Sequence, residues 1–354
     1  MKCPLLADSV EKVGCCRWAI GHLVVASVGS DTFTGVSAVA GSAFNDFITG
    51  SNNAANTSEE FAGRAGDDHI DGLGGFDRAF YNNDNAAVSG IHVDMALGAV
   101  TGDVAIGADT LRSVEAIRGT NFADSYDASN FGAAGFLNTT TDNVGNFGTL
   151  NEFEGMGGND TITGNGNTRI AFYNALDGVT VDLNSGVSHG TAVGDVAGVG
   201  NDTFTGVNAV RGSASADVIF GDAGSNTLDG QGGNDLIEGR GGADTLFGGL
   251  GADRLVFAAV ADSTIASHDT ISDFVQGTDV IDTSAIAGIT SVQGLISGAT
   301  QVAAHSIVWI QSGANTIVYA NNSAVAESQG SADMEIILTG VTANTLTNLD
   351  FFHI

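Results

Sequence analysis

The sequence predicts an all-β protein built as a right-handed parallel β-roll or β-helix, and three observations carry this prediction. Glycine and aspartate recur with a period of nine residues, aliphatic residues recur at one offset from them, and the 354 residues include 51 glycines but one proline. A fixed period of this kind indicates a repeat architecture rather than a flexible linker. The hydrophobic fraction of 43% can supply a core for more than one domain.

The clearest repeats lie at 212–256, where five nonapeptides follow one another without gaps. Glycine dominates the first and fourth positions, and isoleucine or leucine takes the eighth. Glycines permit a tight turn of about six residues, and the remainder forms a short strand with one inward side chain. Two nonapeptides then complete one coil, so residues eighteen apart stack. The sixth position is held by Asp217, Asn226, Asp235, Asp244 and Asp253.

This stacking predicts a metal site. Asp217, Asp235 and Asp253 would line one edge of the roll, and Asn226 and Asp244 the other. Carboxylates at strand spacing repel one another unless a cation lies between them. Calcium accepts six to eight oxygen ligands from carboxylates and backbone carbonyls. We therefore predict calcium ions (Ca²⁺) between successive turns, with turn formation by aspartate alone as the alternative.

Two earlier cassettes, at 41–80 and 119–172, carry the same pattern in interrupted form. Together with the cassette at 212–256 they predict a calcium-binding repeat region over residues 31–256. Arg169 occupies the aspartate position of one unit, so no ligand is expected there. The candidate ligands of the two earlier cassettes are Asp46, Asp68, Asp77, Asp124 and Asp160.

The cassettes belong to a longer internal duplication, which inserts predicted β-hairpins into the roll. Each copy combines repeats, a pair of strands joined by a turn, and a short joint that leads into the next cassette. The matching segments are 63–124 with 155–217, the strand pairs 91–102 with 179–190, and the joints 109–119 with 202–212, with a third joint at 31–41.

The charge of the chain excludes two classes of partner. The formal net charge is −30, with 11 basic and 41 acidic residues, so binding to nucleic acid or an anionic membrane surface is not expected. The three cysteines all lie within the first 16 residues, which leaves the repeats without a disulfide framework. No apolar run reaches transmembrane length. Residues 1–30 are expected to be an irregular lead-in.

No catalytic site is predicted. The seven histidines include no His-Glu-x-x-His motif of a zinc protease. Residues 186–190 fit the Gly-x-Ser-x-Gly elbow of hydrolases, but no helical pattern follows them. The other copy of the duplication has Val100 and Thr101 in place of Ser188 and His189. We interpret the segment as a polar surface turn.

Two further features are interpreted as structural. Arg78, Arg169 and Arg254 each close a cassette just before an apolar pair, and we expect them to form ion pairs. The apolar run at 306–320 predicts a buried hairpin that turns around Ser312 and Gly313.

The run at 221–256 resembles the Gly-Gly-x-Gly-x-Asp-x-aliphatic-x signature of the repeats-in-toxin (RTX, haemolysin-type calcium-binding) proteins. The resemblance implies a parallel β-roll with calcium in the turns. It also implies export of the unfolded chain from a Gram-negative bacterium by type I secretion machinery, and hence an extracellular location.

Residues 257–354 resemble the C-terminal domain of the serralysin-type metalloproteases (peptidase family M10), which implies a β-sandwich-like domain that ends in a secretion signal. The tail at 350–352 fits the Asp-Phe ending of that signal. By the same resemblance Asp262, eighteen residues after Asp244, and Asp269 complete the last calcium sites. The matching segments are 257–263, 267–286, 332–340 and 346–354.

These inferences predict a secreted protein that folds when it binds calcium outside the cell. In a cytosol with little free calcium, charge repulsion would keep the chain loose, and external calcium would let the roll close. Two alternatives stay open. The chain could be a non-catalytic fragment or relative of a secreted RTX enzyme (protease, lipase or epimerase), or an extracellular adhesin or surface protein with a cell-surface or polysaccharide partner.

Overall fold

The computed structural model describes residues 36–52, 57–82, 86–138, 148–191, 195–296 and 301–353. The predicted lead-in at 1–30 lies outside these residues. Strands account for 42% of the structure and helices for 4%, which confirms the predicted all-β class. The chain divides into two compact units, Met1–Thr168 and Arg169–Ile354, and each is described by itself.

The first unit consists mainly of three-residue strands separated by turns. Its strands are β1 (Ala38–Ala40), β2 (Phe47–Thr49), β3 (Glu60–Ala62), β4 (His69–Asp71), β5 (Arg78–Phe80), β6 (His92–Asp94), β7 (Ala99–Thr101), β8 (Ala108–Arg112), β9 (Ala116–Arg118), β10 (Ser125–Asp127), β11 (Asn151–Glu154) and β12 (Thr161–Ala171), of which the last three residues belong to the second unit.

These strands stack in parallel, as a roll requires. One column runs β1, β3, β5, β9 and β11, and a second runs β2, β4 and β8. A third runs β6, β10 and β12. The antiparallel pair β6–β7 confirms the two strands predicted at 91–102, and β7 also pairs antiparallel with β8. The first copy of the duplication is therefore a roll with a hairpin inserted.

The second unit repeats this organisation in a more regular form. Its strands are β13 (Val179–Asp182), β14 (Val187–Gly190), β15 (Asn201–Arg211), β16 (Val218–Phe220), β17 (Thr227–Asp229), β18 (Leu236–Glu238), β19 (Thr245–Phe247), β20 (Arg254–Val256), β21 (Asp269–Ile271), β22 (Val280–Asp282), β23 (Ser291–Leu295), β24 (Gln301–Val302), β25 (Ser306–Ser312), β26 (Asn315–Asn321), β27 (Glu327–Ser328), β28 (Met334–Leu338) and β29 (Phe351–Phe352). Short 3-10 helices cover Val260–Asp262, Gln329–Ser331, Ala343–Thr345 and Asn348–Asp350.

The register of the second unit confirms that two nonapeptides make one coil. β16 pairs in parallel with β18, and β18 with β20, with Val218 opposite Leu236 and Leu236 opposite Arg254. β17 pairs with β19 in the same way, with Thr227 opposite Thr245. Partner residues are thus eighteen apart throughout 218–256. The antiparallel pair β13–β14 confirms the strands predicted at 179–190.

The parallel ladder continues past residue 256. β19 pairs with β21 and β20 with β22, and a further coil adds β28 beside β21 and β29 beside β22. β25 and β26 form the hairpin predicted at 306–320, with Ser312 opposite Asn315 across the turn. β24 and β27 form a separate two-stranded sheet. The domain boundary that the sequence places at residue 256 stays a prediction.

The core of the repeats consists of the aliphatic side chains at the eighth position. All five are 0% exposed, and each fully buried side chain of this size contributes about 1.5–3 kcal/mol. Because the middle residue of each three-residue strand points inward, one buried side chain per nonapeptide suffices to build a continuous core. The five residues are Ile219, Leu228, Ile237, Leu246 and Leu255.

The glycine at the fourth position of a repeat is needed for two reasons. Gly233 has φ +124°, a backbone conformation that other residues adopt only with strain. A Cβ atom at Gly233 would also overlap the backbone of Ser215 and Ala216 in the preceding coil. The turns therefore stack closely only because this position lacks a side chain.

We expect Gly233→Ala to destabilise the second unit by at least about 1–3 kcal/mol, the usual cost of a strained backbone conformation. Urea unfolding in calcium measures the loss. Gly232→Ala is the matched control, because Gly232 has no positive φ and the atom nearest to its added Cβ is 3.8 Å away. Equal losses for the two variants would contradict the stacking argument.

Candidate calcium-binding site

The aspartates at the sixth position form a continuous ladder in the second unit. The backbone N–H of Asp217 donates to Oδ1 of Asp235 at 2.7 Å, and that of Asp235 donates to Oδ1 of Asp253 at 2.9 Å. The N–H of Asp253 donates in turn to Oδ1 of Asp279 at 3.1 Å. Each carboxylate therefore accepts a hydrogen bond from the backbone of the residue that occupies the same position in the neighbouring coil. We call such a series a carboxylate ladder.

A second ladder follows the other edge of the same unit. The N–H of Asn226 donates to Oδ1 of Asp244 at 2.8 Å, and the N–H of Asp244 donates to Oδ1 of Asp269 at 2.9 Å. The predicted residues of 212–256 thus meet in two columns, as the spacing of eighteen indicated. The structure also brings Asp269 into line with them.

Asp262 does not take the ladder position that its spacing predicts. It ends the 3-10 helix Val260–Asp262, where its carboxylate accepts a hydrogen bond from the N–H of Ala259 at 2.8 Å. This insertion places Asp269, twenty-five residues after Asp244, in the next coil instead. The charge of Asp262 still raises the pKa of Asp244 and of Asp269. Its role as a ligand stays a prediction.

The first unit contains shorter ladders with the same geometry. The N–H of Asp46 donates to Oδ1 of Asp68 at 2.8 Å, and the N–H of Asp124 donates to Oδ1 of Asp160 at 2.8 Å. Asp77 also lies in a ladder, and its N–H donates to Oε2 of Glu115 at 2.8 Å. All five candidate ligands of the earlier cassettes therefore occupy ladder positions.

Among the ladder residues that the sequence analysis missed are Asp109, Glu115 and Asp279. Asp109 accepts a hydrogen bond from the N–H of Asp68 at 2.9 Å. None of the three belongs to a recognisable nonapeptide, and the joint that contains Asp109 and Glu115 was read only as a connection. The signal that could have identified them is an acidic residue immediately before a short strand whose middle residue is apolar and points inward.

The ladder carboxylates fall into two classes by their hydrogen bonds, and Asp217 represents the first. Its Oδ2 accepts from the N–H of Ser213 at 2.6 Å, and its Oδ1 accepts from Ser213 Oγ at 2.8 Å and from the N–H of Val179 at 2.7 Å. A serine or threonine at the second position thus closes the turn with hydrogen bonds to the carboxylate. The same arrangement joins Ser42 to Asp46 and Thr120 to Asp124.

The second class keeps one buried carboxylate oxygen without a hydrogen-bond partner among the residues that the structure describes. A buried acceptor that lacks a partner costs about 1–3 kcal/mol, and more when it is charged. Such oxygens are the ligands that calcium prefers. The class includes Asp68, Asp77, Asp235, Asp244, Asp253 and Asp269, each through Oδ2, and Glu115 through Oε1.

Burial changes the acidity of this second class. It raises the pKa of Asp235 and of Asp244 to about 7, although a backbone N–H donated to each carboxylate opposes the rise. The neighbouring charges of Asp217 and Asp253 raise the pKa of Asp235 further. Burial also raises the pKa of Asp269 to about 8. These groups resist ionisation unless a positive charge is supplied.

The first glycine of a turn brings a carboxylate oxygen and a backbone carbonyl oxygen close together. A Cβ atom at Gly212 would overlap Asp217 Oδ2 and would lie 2.8 Å from the carbonyl oxygen of Gly230. A Cβ at Gly230 would be similarly placed against Asp235 Oδ2 and, at 2.7 Å, the carbonyl oxygen of Gly248. Within the described residues no three His, Cys, Asp or Glu side chains are grouped as a metal site. The residues therefore fit calcium only if backbone carbonyls complete the ligand set.

The family comparison agrees with this geometry. The model of the RTX calcium-binding nonapeptide repeat (4 copies) matches residues 57–85, 151–168, 196–237, 220–255 and 229–262. This chain carries RTX calcium-binding repeats. The matched segments include ladder residues of both units. They stop at residue 262, so the serralysin-like nature of the C-terminal part stays a prediction.

Two solved structures are similar to parts of the chain. The AlgE6R3 subunit of the mannuronan C5-epimerase from Azotobacter vinelandii is 31% identical over 41% of this chain and 76% of its own, with a TM-score of 0.31. The AlgE6R2 subunit of the same enzyme is 19% identical over 68% of this chain and 92% of its own, with a TM-score of 0.27. No curated protein matches the chain. The assignment of RTX repeats rests on the family match.

The segment at 186–190 is not the surface turn that we predicted. Ser188 lies in β14 and is buried, because β13 and β15 pair with both edges of this strand. Its Oγ donates to Oδ2 of Asp202 at 3.0 Å.

The family match is to calcium-binding repeats and not to a catalytic domain. In the described part of the chain, no helix is long and apolar enough to cross a membrane.

We expect Ser213→Ala to destabilise the protein by about 1 kcal/mol, the net contribution of one hydrogen bond. The loss should be the same in calcium and in chelator, because Ser213 replaces metal in closing its turn. Thermal unfolding under both conditions measures it. A loss confined to calcium would show that Asp217 depends on the ion instead.

The pKa values predict how stability depends on pH without metal. The folded state holds protons on Asp235, Asp244 and Asp269 up to about pH 7–8, whereas the unfolded chain releases them near its ordinary value of 3.8. The free energy of unfolding in EDTA should therefore fall as pH rises from about 4 to about 8. Urea midpoints across this range test it. A midpoint that rises with pH in EDTA would contradict the prediction, and saturating calcium should flatten the dependence.

Proposed function

We propose that this RTX-repeat protein is secreted, folds when it binds calcium outside the cell, and has no catalytic site in this chain. One observation carries the proposal: the second class of ladder carboxylates keeps buried oxygens that no group in the described residues satisfies. The proposal makes calcium the missing partner, because calcium binds oxygen ligands and neutralises carboxylates that lie one coil apart.

Binding and folding are coupled in this proposal because the ligands meet only in the coiled state. Asp217 and Asp235 are eighteen residues apart in sequence but adjacent in the ladder. An ion that binds the folded state alone adds RT ln(1 + [Ca²⁺]/Kd) to stability, or about 2.7 kcal/mol per site at a hundredfold excess over Kd. Where calcium is scarce, the ladder retains its repulsion and the equilibrium shifts toward the open chain.

The C-terminal tail sets a condition on the secretion part of the proposal. Phe351 is buried and stacks on Trp309, with 5.0 Å between the ring centroids, and β29 pairs with β22. In the folded protein this tail is therefore packed into the sheet. A type I secretion apparatus would have to engage it before the C-terminal part folds, which the low calcium of the cytosol would permit.

The two alternative functions stay predictions. A catalytic domain encoded upstream in the same reading frame would favour a piece of a secreted enzyme, and calcium-dependent binding to cells or a polysaccharide would favour an adhesin. The aromatic residues of the hairpin β25–β26 offer little to such a partner. Trp309 is buried, and its Nε1 donates to the carbonyl of Ala343 at 2.9 Å.

The test is a calcium titration of the full chain, followed by circular dichroism and calorimetry, with magnesium as the control ion. We expect a cooperative gain of β-structure with calcium alone. Asp244→Asn should bind fewer ions, because it keeps the hydrogen bond to Asn226 but loses the charge. Asp229→Asn is the matched control, since Asp229 faces outward and pairs with Arg211 at 3.1 Å. Full β-structure in EDTA, indifferent to calcium, would refute the proposal.

A further inference from the structure

A separate column of acidic residues lies in the first unit, along the strands β3, β5 and β9. The N–H of Glu59 donates to Oδ1 of Asp77 at 3.0 Å, and the N–H of Asp77 donates to Oε2 of Glu115 at 2.8 Å. We call these three residues the glutamate column. Asp77 belongs to a repeat, whereas Glu115 lies in the joint at 109–119, outside the segments that match the RTX family.

The three carboxylates of the glutamate column differ in how they are satisfied. Glu59 accepts from the N–H of Ser51 at 2.6 Å and from Ser51 Oγ at 2.9 Å. Asp77 and Glu115 are 0% exposed, and Asp77 Oδ2 and Glu115 Oε1 have no hydrogen-bond partner within the described residues. The pair therefore holds two buried acidic groups side by side with one oxygen of each unsatisfied.

The arginines around the column are directed to other carboxylates. Arg78, next to Asp77, pairs with Glu152 at 2.5 Å, and Arg118 pairs with Glu154 at 2.6 Å. These are outward-facing strand positions, since side chains alternate along a strand. The positive charge that Asp77 and Glu115 require is therefore not brought to them by these two arginines.

The internal duplication provides an independent observation. Aligned on the shared Ala-Phe-Tyr at 79–81 and 171–173, and on the matching joints, all three positions of the glutamate column change together in the second copy. Three carboxylates with a charge of −3 are replaced by two amides and one guanidinium with a charge of +1. The replacements are Glu59 by Asn151, Asp77 by Arg169 and Glu115 by Asn208.

We propose that Asp77 and Glu115 bind a divalent cation, with calcium as the ion that fits, at a site that rests on the proposed function and adds to the repeat aspartate a ligand from outside the repeat motif. The second copy carries a covalently attached positive charge in Arg169, whereas the first copy takes a cation from solution. Two carboxylate oxygens from neighbouring coils, with carbonyls of the glycine turn, are hard ligands of the type calcium prefers.

The turn before Asp77 brings oxygen atoms of the repeat and of the joint close to one another. A Cβ atom at Gly72 would lie 2.6 Å from Asp77 Oδ2 and would overlap the carbonyl oxygen of Ser113. Ser113 itself has φ +51°, so the short joint reaches Glu115 through a left-handed residue. The missing side chain at Gly72 thus brings a backbone carbonyl of the joint close to the carboxylate of the repeat.

The experiment counts bound calcium by isothermal titration of the full chain. We expect Glu115→Gln to lose about one ion relative to the unchanged protein, because one anionic ligand is removed while its size is kept. Asp235→Asn, in a repeat of the second unit, serves as the reference for loss of a repeat site. If Glu115→Gln keeps the full count while Asp235→Asn loses an ion, this proposal is overturned and the proposed function stands. If the unchanged chain binds no calcium, both fail.

A second variant separates metal binding from a purely structural role. Asp77→Arg combined with Glu115→Asn installs two residues of the second copy in the first. It should bind about one ion fewer and should also unfold at higher urea than the unchanged protein in EDTA, since it removes two unneutralised buried acids. An unchanged ion count, or a lower urea midpoint in EDTA, would count against the site. This readout also covers the case in which Glu115→Gln alone fails to fold.

Discussion

The repulsion between buried carboxylates stacked one coil apart is the constraint on which this structure depends. Coils of a parallel roll repeat at strand spacing, about 4.8 Å, so a residue type fixed at one repeat position meets itself along the whole column. Asp235 lies between Asp217 and Asp253 in this way, and both neighbours raise its pKa. Closing the column requires a device that offsets this repulsion: two such devices are present among the residues of the chain, and a bound ion is the third, which we propose.

The residue type at a defined position of the turn indicates which device acts there. A serine or threonine at the second position satisfies the carboxylate by hydrogen bonds, as Ser213 does for Asp217. A side chain at the sixth position can carry the positive charge itself, as Arg169 does in sequence. Glycine at the first position, followed by a residue other than serine or threonine, leaves one oxygen of the sixth-position carboxylate without this hydrogen bond, which suits a bound ion. The first turns of the cassettes use hydrogen bonds, so each cassette starts from a turn whose carboxylate has donors within the chain.

The sequence predicted the regular part of this molecule well because a nine-residue period constrains both faces of every strand. The inward position of Leu228 and the register that pairs Thr227 with Thr245 follow from that period alone. Where the period broke, prediction failed. Asp262 kept the spacing of eighteen, but a helical turn displaced it. Glu115 had no period to mark it, because three residues replace a six-residue turn between β8 and β9. Ser188 was misjudged since strand pairing, rather than local composition, decides burial.

The outward faces show why the basic residues of the chain cannot neutralise all of its carboxylates. Arg78 and Arg254, predicted to form ion pairs, do so with Glu152 and Asp282. Arginines of the described residues also lie over aromatic rings, which hold the guanidinium groups on the surface of the sheet. With 11 basic residues against 41 acidic ones, pairing every base would still leave 30 acids unpaired. Exposed carboxylates are solvated by water and screened by dissolved salt, whereas the buried ladder carboxylates are not. A cation from solution therefore lowers the electrostatic energy most when it binds beside the ladder. The arginine–ring pairs are Arg118 with Phe80, Arg211 with Tyr173, Arg240 with Phe220 and Arg254 with Phe352.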